Sequence, residues 1–297
     1  MLSLAAILVV TMLLAHLFVR QTGEQLVIEK HQEVLMLQFP ELSDSDYDWI
    51  AAGIYHNEAR GQSRYLTFWG EGEDFPSFGI GHFIWFPTGV DAPFDEMFPR
   101  MFAFVSQHGH DRTPAPDWLS ELTPFEAPWS SRESFNAALS SPKMTQMRKW
   151  LEDTAQLQAR FIVSTFEKRW KNVSLSGDQK NRVTRLLQEL AASAEGLFAI
   201  IDYYNFKGLG VNPHERYQGE GWGLIQVLES VWQQRQDSGR CGDLLDLFTK
   251  AAGDRLRMRV ALAPPERNEE RWLEGWLARL ESYVANSAGP TGHINPC

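Results

Sequence analysis

The chain has too few cysteines and too little positive charge for several common protein classes. Cys241 and Cys297 are the only cysteines in 297 residues, which excludes a disulfide scaffold and does not match the spacing of a metal site. Lysine and arginine together number 28, against 38 aspartates and glutamates, so the formal charge is −10. A protein that binds the phosphate backbone needs a basic face. We therefore expect no nucleic-acid partner.

Familiar catalytic signatures are also missing from the sequence. It has no phosphate loop, no dinucleotide fingerprint, no GxSxG elbow, no internal repeat and no low-complexity segment. The stretch His108-Gly109-His110-Asp111 offers three potential metal ligands, but no second element supplies ligands at the spacing typical of zinc sites. We expect a polar loop there, and neither a metal nor a cofactor in the protein.

What the sequence does contain is typical of a globular protein rich in aromatic residues. Hydrophobic residues make up 43% and charged residues 22%, which is close to average globular composition and excludes wholesale disorder. The 18 phenylalanines, 11 tryptophans and 7 tyrosines are enough to build a core. Tryptophans that the core does not need are available to line a sugar-binding groove.

The amino terminus differs from the rest of the chain. Residues 2–19, LSLAAILVVTMLLAHLFV, form an apolar run without a charged side chain, and its length is close to the minimum for a bilayer-spanning helix. We expect residues 1–20 to be a signal peptide or an uncleaved membrane anchor, because such a run is not typical of a buried core helix. The protein is then exported, and lies in the periplasm or faces the periplasm or exterior from the membrane, which it contacts through residues 2–19 if they are not cleaved.

Residues 21–42 are interpreted as a linker or first helix, 43–288 as a single domain and 289–297 as a tail. The domain is predicted to be α+β and mainly α, with one hairpin at about 64–86. Residues 87–130 contain many prolines, which favour short helices and loops there. A first helix capped by Ser43 or Ser45 should run to about Asn57. Further helices are predicted near 131–140, 143–170, 176–203, 222–236, 241–262 and 268–285.

Carboxyl groups follow the first helix in an order that indicates acid–base chemistry. Glu58 comes at the predicted helix end, just before Gly61, and the hairpin turn then supplies Glu71, Glu73 and Asp74. Glycoside cleavage requires one carboxyl group that protonates the leaving oxygen. A second, ionised group activates water or stabilises the oxocarbenium ion. A helix-end glutamate facing a hairpin acid would meet that requirement.

The strand after the turn, SFGIGHFIW, resembles the TIGIGHL or TxGYGH strand of phage-type lysozymes, over about 35 of the 297 residues. The resemblance implies a lysozyme-like fold with Glu58 as general acid, Ser77 positioning the attacking water and His82 supporting the site. It also implies a second carboxylate at Glu71, or at Glu73, which is nearly as well placed. Bacterial chitosanases of the same superfamily share this plan. The chain departs from the phage pattern by a longer interval after Glu58 and by serine in place of threonine.

A second segment, from Asn205 to Gln226, carries five glycines in an otherwise helical region. Its GWGLIQV stretch resembles the GLMQV stretch of lytic transglycosylases, whose loop and helix line the saccharide groove. Tyr217, Trp222 and Gln226, together with Trp69 of the hairpin, are therefore candidate substrate-binding residues, and Glu220 is a possible extra acid. The alternative is a helix start that the glycines allow to pack closely against its neighbours.

Three hypotheses about function remain open at this point. The first is a glycoside hydrolase, a muramidase, that cleaves a β-1,4-linked amino-sugar polymer, with peptidoglycan expected first and chitosan next. The second is a lytic transglycosylase that uses Glu58 alone. The third, from another class, is a non-catalytic lysozyme-fold module that binds envelope glycan or an envelope protein.

Overall fold

A computed structural model describes residues 35–109, 112–238 and 243–285. These ranges contain eleven α-helices and one three-stranded sheet. The helices are α1 Asp44–Ala59, α2 Phe98–Gly109, α3 Asp117–Ser120, α4 Arg132–Ala138, α5 Pro142–Asp153, α6 Ala155–Asn172, α7 Gly177–Leu190, α8 Ala194–Lys207, α9 Leu224–Ser238, α10 Leu244–Leu262 and α11 Glu270–Ala285. Short 3₁₀ turns cover Ser63–Leu66 and Pro265–Arg267. The prediction of a mainly helical α+β chain is confirmed.

None of the helices in the described ranges is long and apolar enough to cross a bilayer. The apolar run at 2–19 and the tail at 289–297 lie outside those ranges. The predictions made for both segments therefore stay predictions.

The core joins the small sheet to the surrounding helices through aromatic rings. Phe78 of the sheet is fully buried, and its ring packs against Trp85 at 5.6 Å and Phe98 of α2 at 5.2 Å between centroids. It also contacts Trp129 and Phe135, the latter from α4. Burial of such rings, with the added preference of aromatic pairs for edge-to-face and offset geometry, fixes the sheet against α2 and α4.

Helix α1 packs mainly against α6 and carries Glu58 near its end. Ser43 caps it by accepting a hydrogen bond from the backbone N–H of Asp46, whose carboxylate accepts in turn from the Ser43 N–H. The side chains of Ile50 and Ile54 are buried against α6 and α8. The helix ends where Arg60 adopts a left-handed conformation with φ 51°. Glu58 is thus held in the last turn of a partly buried helix.

Two predicted long helices are each broken in the structure. The helix expected over 143–170 divides at Thr154, whose hydroxyl donates to the Trp150 carbonyl. The helix expected over 176–203 divides after Leu190, and Ser193 caps the new helix α8. The chain bends so tightly there that a Cβ on Gly196 would lie 2.1 Å from the Leu190 carbonyl oxygen. Polar caps and a close backbone approach interrupt helical patterns that continue in the sequence.

Two further details differ from the sequence predictions. The proline-rich segment 87–130 contains a regular twelve-residue helix, α2, because Pro99 lies in its first turn, where proline costs no hydrogen bond. The sequence Ser130-Ser131-Arg132-Glu133 is typical of a capping box of Ser130 with Glu133, but the box is formed one residue later, by Ser131 and Ser134.

The predicted hairpin has a third strand. Strand β1 (Thr67–Phe68) pairs antiparallel with β2 (Ser77–Phe78), with Thr67 opposite Phe78 and Phe68 opposite Ser77. The long second strand expected from SFGIGHFIWF is interrupted at Gly79–His82 by a tight turn, in which His82 N–H donates to the Gly79 carbonyl. The chain then returns as β3 (Phe83–Ile84), antiparallel to β2. The GIGH sequence forms this turn.

Gly79 is required at the turn for two reasons. Its φ of 78° is unfavourable for residues with a side chain, and a Cβ there would lie 2.3 Å from the amide oxygen of Gln158. That oxygen accepts a hydrogen bond from the Ile80 N–H at 2.9 Å. The Gln158 amide nitrogen donates to the Leu151 carbonyl and to Thr154. The buried glutamine therefore fixes the turn to the junction between α5 and α6.

Gly79→Ala is expected to destabilise the protein more than Gly72→Ala. Both positions have nearly the same positive φ, 78° and 79°, so each alanine bears the left-handed cost of about 1–2 kcal/mol. Only Gly79 faces the Gln158 amide, whereas nothing lies within 4 Å of a Cβ on Gly72. Displacing that amide leaves a buried N–H unpaired, at about 1–3 kcal/mol more. Urea unfolding of the two variants measures the difference, and equal losses would contradict this account.

Candidate functional site

The GIGH turn brings His82 to one side of a cleft. Its φ is 46°, its Nε2 lies 3.2 Å from the Tyr65 carbonyl oxygen, and its ring stacks on Phe68 with 6.1 Å between centroids. A Cβ on Gly81 would lie 3.0 Å from the side-chain oxygen of Asn205. Both glycines of the motif thus serve close approaches, Gly79 toward α6 and Gly81 toward the end of α8.

Ser77 lies on the same face of the sheet as His82. Because Ser77 is directly opposite Phe68 in the β1–β2 pair, their side chains project to one side of the sheet. The His82 ring covers Phe68 on that side. Ser77 and His82 therefore both lie near Phe68 on a partly exposed side of the sheet, and the roles that the resemblance implies for them stay predictions.

Glu58 faces His82 from the last turn of α1. Its Oε1 accepts hydrogen bonds from Arg279 Nη1 at 2.7 Å and from Asn205 Nδ2 at 3.1 Å. Its Oε2 lies 3.7 Å from His82 Nδ1, which is beyond good hydrogen-bond distance. The side chain is 15% exposed. One carboxyl oxygen is thus fully engaged, and the other is available to a ligand.

The surroundings of Glu58 favour its ionised form. Burial is the largest single effect and raises the pKa of the Glu58 carboxyl, but the Arg279 guanidinium, His82 and Lys207 together outweigh it. The net result is a pKa below the ordinary value. In the free protein Glu58 is therefore a carboxylate at neutral pH, whereas a general acid must carry a proton.

Arg279 is itself held by a buried acid. Its Nε and Nη2 donate to the two carboxylate oxygens of Asp202 at 2.7 and 2.8 Å, and the Tyr283 hydroxyl donates to Asp202 at 2.6 Å. Asp202 is completely buried, and Arg279 is 6% exposed. Asp202 engages two of the three guanidinium nitrogens, Nε and Nη2, so the third, Nη1, points at Glu58 in a fixed geometry.

The acids of the hairpin turn do not join this group. The Glu73 carboxylate accepts a hydrogen bond from the Gly70 N–H at 3.0 Å, within its own turn. Glu71 and Asp74 are exposed. These residues lie in the loop beyond the β1–β2 strand ends, whereas the segment that approaches Glu58 begins at the other end of β2. A role for Glu71 or Glu73 as second carboxylate stays a prediction.

The glycine-rich segment folds into a compact loop before α9. A Cβ on Gly210 would lie 1.9 Å from Gln226 Oε1, and one on Gly223 would lie 2.3 Å from the Gly210 backbone. Gln226 accepts from the Gly223 N–H and donates to the Gly210 carbonyl. This is the close glycine packing at a helix start that the sequence left open as an alternative. The oxygen and the nitrogen of the Gln226 amide both have backbone partners within it.

The other candidate substrate-binding residues have internal partners as well. Trp69 is 5% exposed, and its indole N–H donates to the Glu73 carbonyl at 2.7 Å. Trp222 is also buried, and its ring packs 4.8 Å from that of Tyr217. The Tyr217 hydroxyl donates to Glu269 at 2.7 Å, and Glu220 is ion-paired with Arg255 at 2.9 Å. Of these residues, the partly exposed Tyr217 lies best for ligand contact.

A pocket of about 190 Å³ opens between the GIGH turn and the end of α8. Two of its lining residues, His82 and Asn205, also contact Glu58. Its far side carries the ion pair between Asp95 and Arg169, at 2.5 Å. Ligand pockets for whole small molecules measure about 300–1,000 Å³. This pocket therefore has the size of one substituent or ring, and Glu58 itself is not among its lining residues.

Metal ligation receives no support from the described ranges, which hold no cluster of three or more histidine, cysteine or acidic side chains suited to an ion. His108 places its Nδ1 2.8 Å from the Phe104 carbonyl oxygen. Its motif neighbours His110 and Asp111 lie outside the described residues.

Sequence reasoning missed the residues that hold Glu58. Asp202 and Arg279 are 77 positions apart, and neither belongs to a recognisable motif. One signal was present: Asp202 interrupts the apolar run LFAIIDYYNF, and an acid buried in such a helix needs a cationic or hydrogen-bonding partner. The sequence does not indicate which of its 28 lysines and arginines is that partner.

Comparison with known proteins gave no match to a family model, to a curated protein or to a solved structure.

The ion pair predicts how stability depends on pH. Because the folded-state pKa of Glu58 is lowered, its contribution to stability is complete above the unfolded-state pKa and is lost as pH falls through the folded-state pKa. At pH 7 Glu58→Gln should cost about 1.5–3 kcal/mol, the value of a hydrogen bond to a charged group. The cost should shrink in acid. Urea unfolding at pH 7 and at stepwise lower pH measures it, and a pH-independent cost would contradict the assignment.

Proposed function

We propose that the protein cleaves glycosidic bonds of a β-1,4-linked amino-sugar polymer, with Glu58 as the residue that exchanges a proton with the scissile bond. The observation that carries the proposal is that the two oxygens of the Glu58 carboxyl have different surroundings. Oε1 is fixed by Arg279 and Asn205, while Oε2 remains available next to His82 and the pocket. Peptidoglycan is the first candidate substrate and chitosan the second.

Proton donation by Glu58 requires that substrate binding changes its environment. The free carboxyl is ionised because its cationic neighbours, Arg279 first, together outweigh the effect of burial on its pKa. A glycan bound over Oε2 excludes the remaining water, and desolvation favours the protonated form. The protonated carboxyl can then donate to the glycosidic oxygen as the bond from that oxygen to C1 breaks.

The transglycosylase form of this chemistry agrees best with the position of the hairpin acids. In that reaction Glu58 gives its proton to the leaving oxygen, and a hydroxyl of the same sugar attacks C1 and returns a proton to Glu58. One carboxyl group suffices. The hydrolase form needs a second carboxylate, and the Glu73 carboxylate is engaged within its own turn.

A binding module without turnover is the alternative from another class. It is favoured by the closed network in which Glu58, Arg279, Asp202 and Tyr283 satisfy one another. A network of this kind can serve stability and fold specificity alone. In that case glycan binding would survive the loss of the Glu58 carboxyl.

The location is part of the proposal. A wall polymer is reached only by a protein that leaves the cytoplasm, and the apolar run at 2–19 supports export with or without retention as an anchor. Fractionation of cells that express the full chain, followed by protease treatment of intact cells, tests whether residues 43–288 face outward.

Removal of the Glu58 carboxyl is expected to abolish cleavage. Glu58→Gln keeps the side-chain shape but cannot exchange the proton, so the rate should fall by at least about 10²–10⁴-fold. Incubation of the full chain with purified peptidoglycan and with chitosan, followed by mass spectrometry of released sugars, measures this. Glu189→Gln is a matched control, because Glu189 is ion-paired with Arg235 at 2.5 Å, away from the site.

The products and the hairpin variants then separate the three hypotheses. Anhydro products, with activity retained in the double variant Glu71→Gln, Glu73→Gln, indicate a transglycosylase. Reducing-end products that disappear in the double variant indicate a two-carboxylate hydrolase. Release of the same sugars by wild type and Glu58→Gln would overturn the catalytic proposal. Binding without release by either folded protein would support the module.

A further inference from the structure

Lys207, the last residue of α8, has an ammonium group that contacts two aromatic rings. Its Nζ lies 3.8 Å from the centre of the Phe206 ring and 4.0 Å from that of Trp276. In the described part of the chain, no carboxylate lies within ion-pair distance of Nζ, and no acceptor within hydrogen-bond distance. None of the described residues therefore uses the three donors of this partly buried ammonium.

The neighbouring carboxylates are already engaged by arginines. Glu58 accepts from Arg279, and Glu269 accepts from Arg259 through both oxygens at 2.6 and 2.8 Å. Arg259 also lies over the Trp276 ring, at 4.9 Å, and Arg279 lies over Phe206, at 4.4 Å. Lys207 thus shares the Phe206 ring with Arg279 and the Trp276 ring with Arg259. It takes part in neither of the two ion pairs that these arginines form.

This arrangement is unfavourable for a cation without a ligand. Burial lowers the pKa of Lys207 well below its usual range, and the like charges of Arg259 and Arg279 lower it further, against the opposing effect of Glu269 and Glu58. An anion placed at Nζ would offset both the repulsion and the lost hydration. The environment thus favours an anionic ligand at this position over an empty one.

Lys207 is close to the candidate catalytic group. Asn205, two residues earlier on α8, donates to Glu58, and the intervening Phe206 lies against Arg279. Trp276 lies 6.0 Å from Trp272, which is 39% exposed. Aromatic rings beside a cation form the kind of surface that holds a sugar ring and its charged substituent together.

We propose that Lys207 and Trp276 form a subsite for a carboxylate carried by the amino-sugar polymer that Glu58 cleaves. The inference rests on the proposed function and narrows it, because it selects a polymer with acidic substituents over the uncharged or cationic chitin and chitosan. The carboxylate can belong to an ether-linked acid on the sugar itself or to a peptide attached to it. Both sources present the same group to Nζ.

Binding measurements test the subsite independently of turnover. The first probe is a set of peptidoglycan glycan fragments with intact peptides, and the second is the same fragments stripped by an amidase, which leaves the sugar acid free. In the third, the free acid of the stripped fragments is converted to an amide. Chitin oligomers of equal length are the fourth. Affinity of the full chain for each is measured by calorimetry. We expect the free-acid or peptide-bearing fragments to bind about tenfold more tightly than the amidated and chitin forms. Which of the two binds more tightly identifies the source.

Two variants of Lys207 establish whether it causes the preference. Lys207→Met keeps an unbranched apolar stem against Phe206 and Trp276 and is expected to fold, since it removes a cation that two arginines repel. It should bind all fragments equally. Lys207→Arg should retain the preference. Lys143→Met is the matched control, because Lys143 also lies over a tryptophan, Trp118, at 5.5 Å, and its loss changes the net charge equally.

The outcomes separate this inference from the proposed function. A carboxylate preference in Lys207→Met as large as in wild type, or no preference in wild type, would overturn the subsite even if the polymer is cleaved. A preference that depends on Lys207, without any cleavage, would support the subsite and overturn the enzymatic proposal.

Discussion

The buried pair of Asp202 and Arg279 is the interaction on which the candidate site depends. It joins the middle of α8 to α11 through two hydrogen bonds, inside a helix face that is otherwise apolar. Removing one partner of such a pair leaves an unpaired buried charge, at about 3–5 kcal/mol. Because Asp202 takes two of the three guanidinium nitrogens, the direction of the third nitrogen, and with it the position of Glu58, is set by the contact between α8 and α11.

The local part of this site could be predicted from the sequence, and the long-range part could not. Glu58 before Gly61, and the two glycines before His82, are short patterns with backbone consequences that can be read directly. Even there the observed structure differs from the predicted one. The run of aromatic residues and isoleucine predicted a continuous strand, whereas the positive φ of Gly79 and His82 produces a turn. Arg279 lies 221 residues after Glu58, in a helix that also contains Arg271, so only the fold selects it.

The same division appears among the helices. Their existence followed from apolar periodicity, but the breaks at Thr154 and Ser193 depend on single hydrogen bonds and on one close approach at Gly196. Likewise, the glycines of residues 208–223 look equally suited to a binding loop and to close packing. The contact between Gly210 and Gly223 decides for packing, since a loop that must flex against a ligand cannot hold its backbone at that distance without cost.

The end of α8 connects these observations. Asn205, Phe206 and Lys207 are consecutive, and they meet the Glu58 carboxyl, the Arg279 guanidinium and the Trp276 ring in turn. The helix stops at Gly208, whose φ is 66°, so Lys207 is the last side chain that the helix can direct. In the proposed function, a polymer that contacts the pocket beside Asn205 and the cation beside Trp276 also reaches the ionised Glu58, to which Asn205 donates. Exclusion of water from Oε2 by the polymer is then the physical change by which the Glu58 carboxyl can gain a proton.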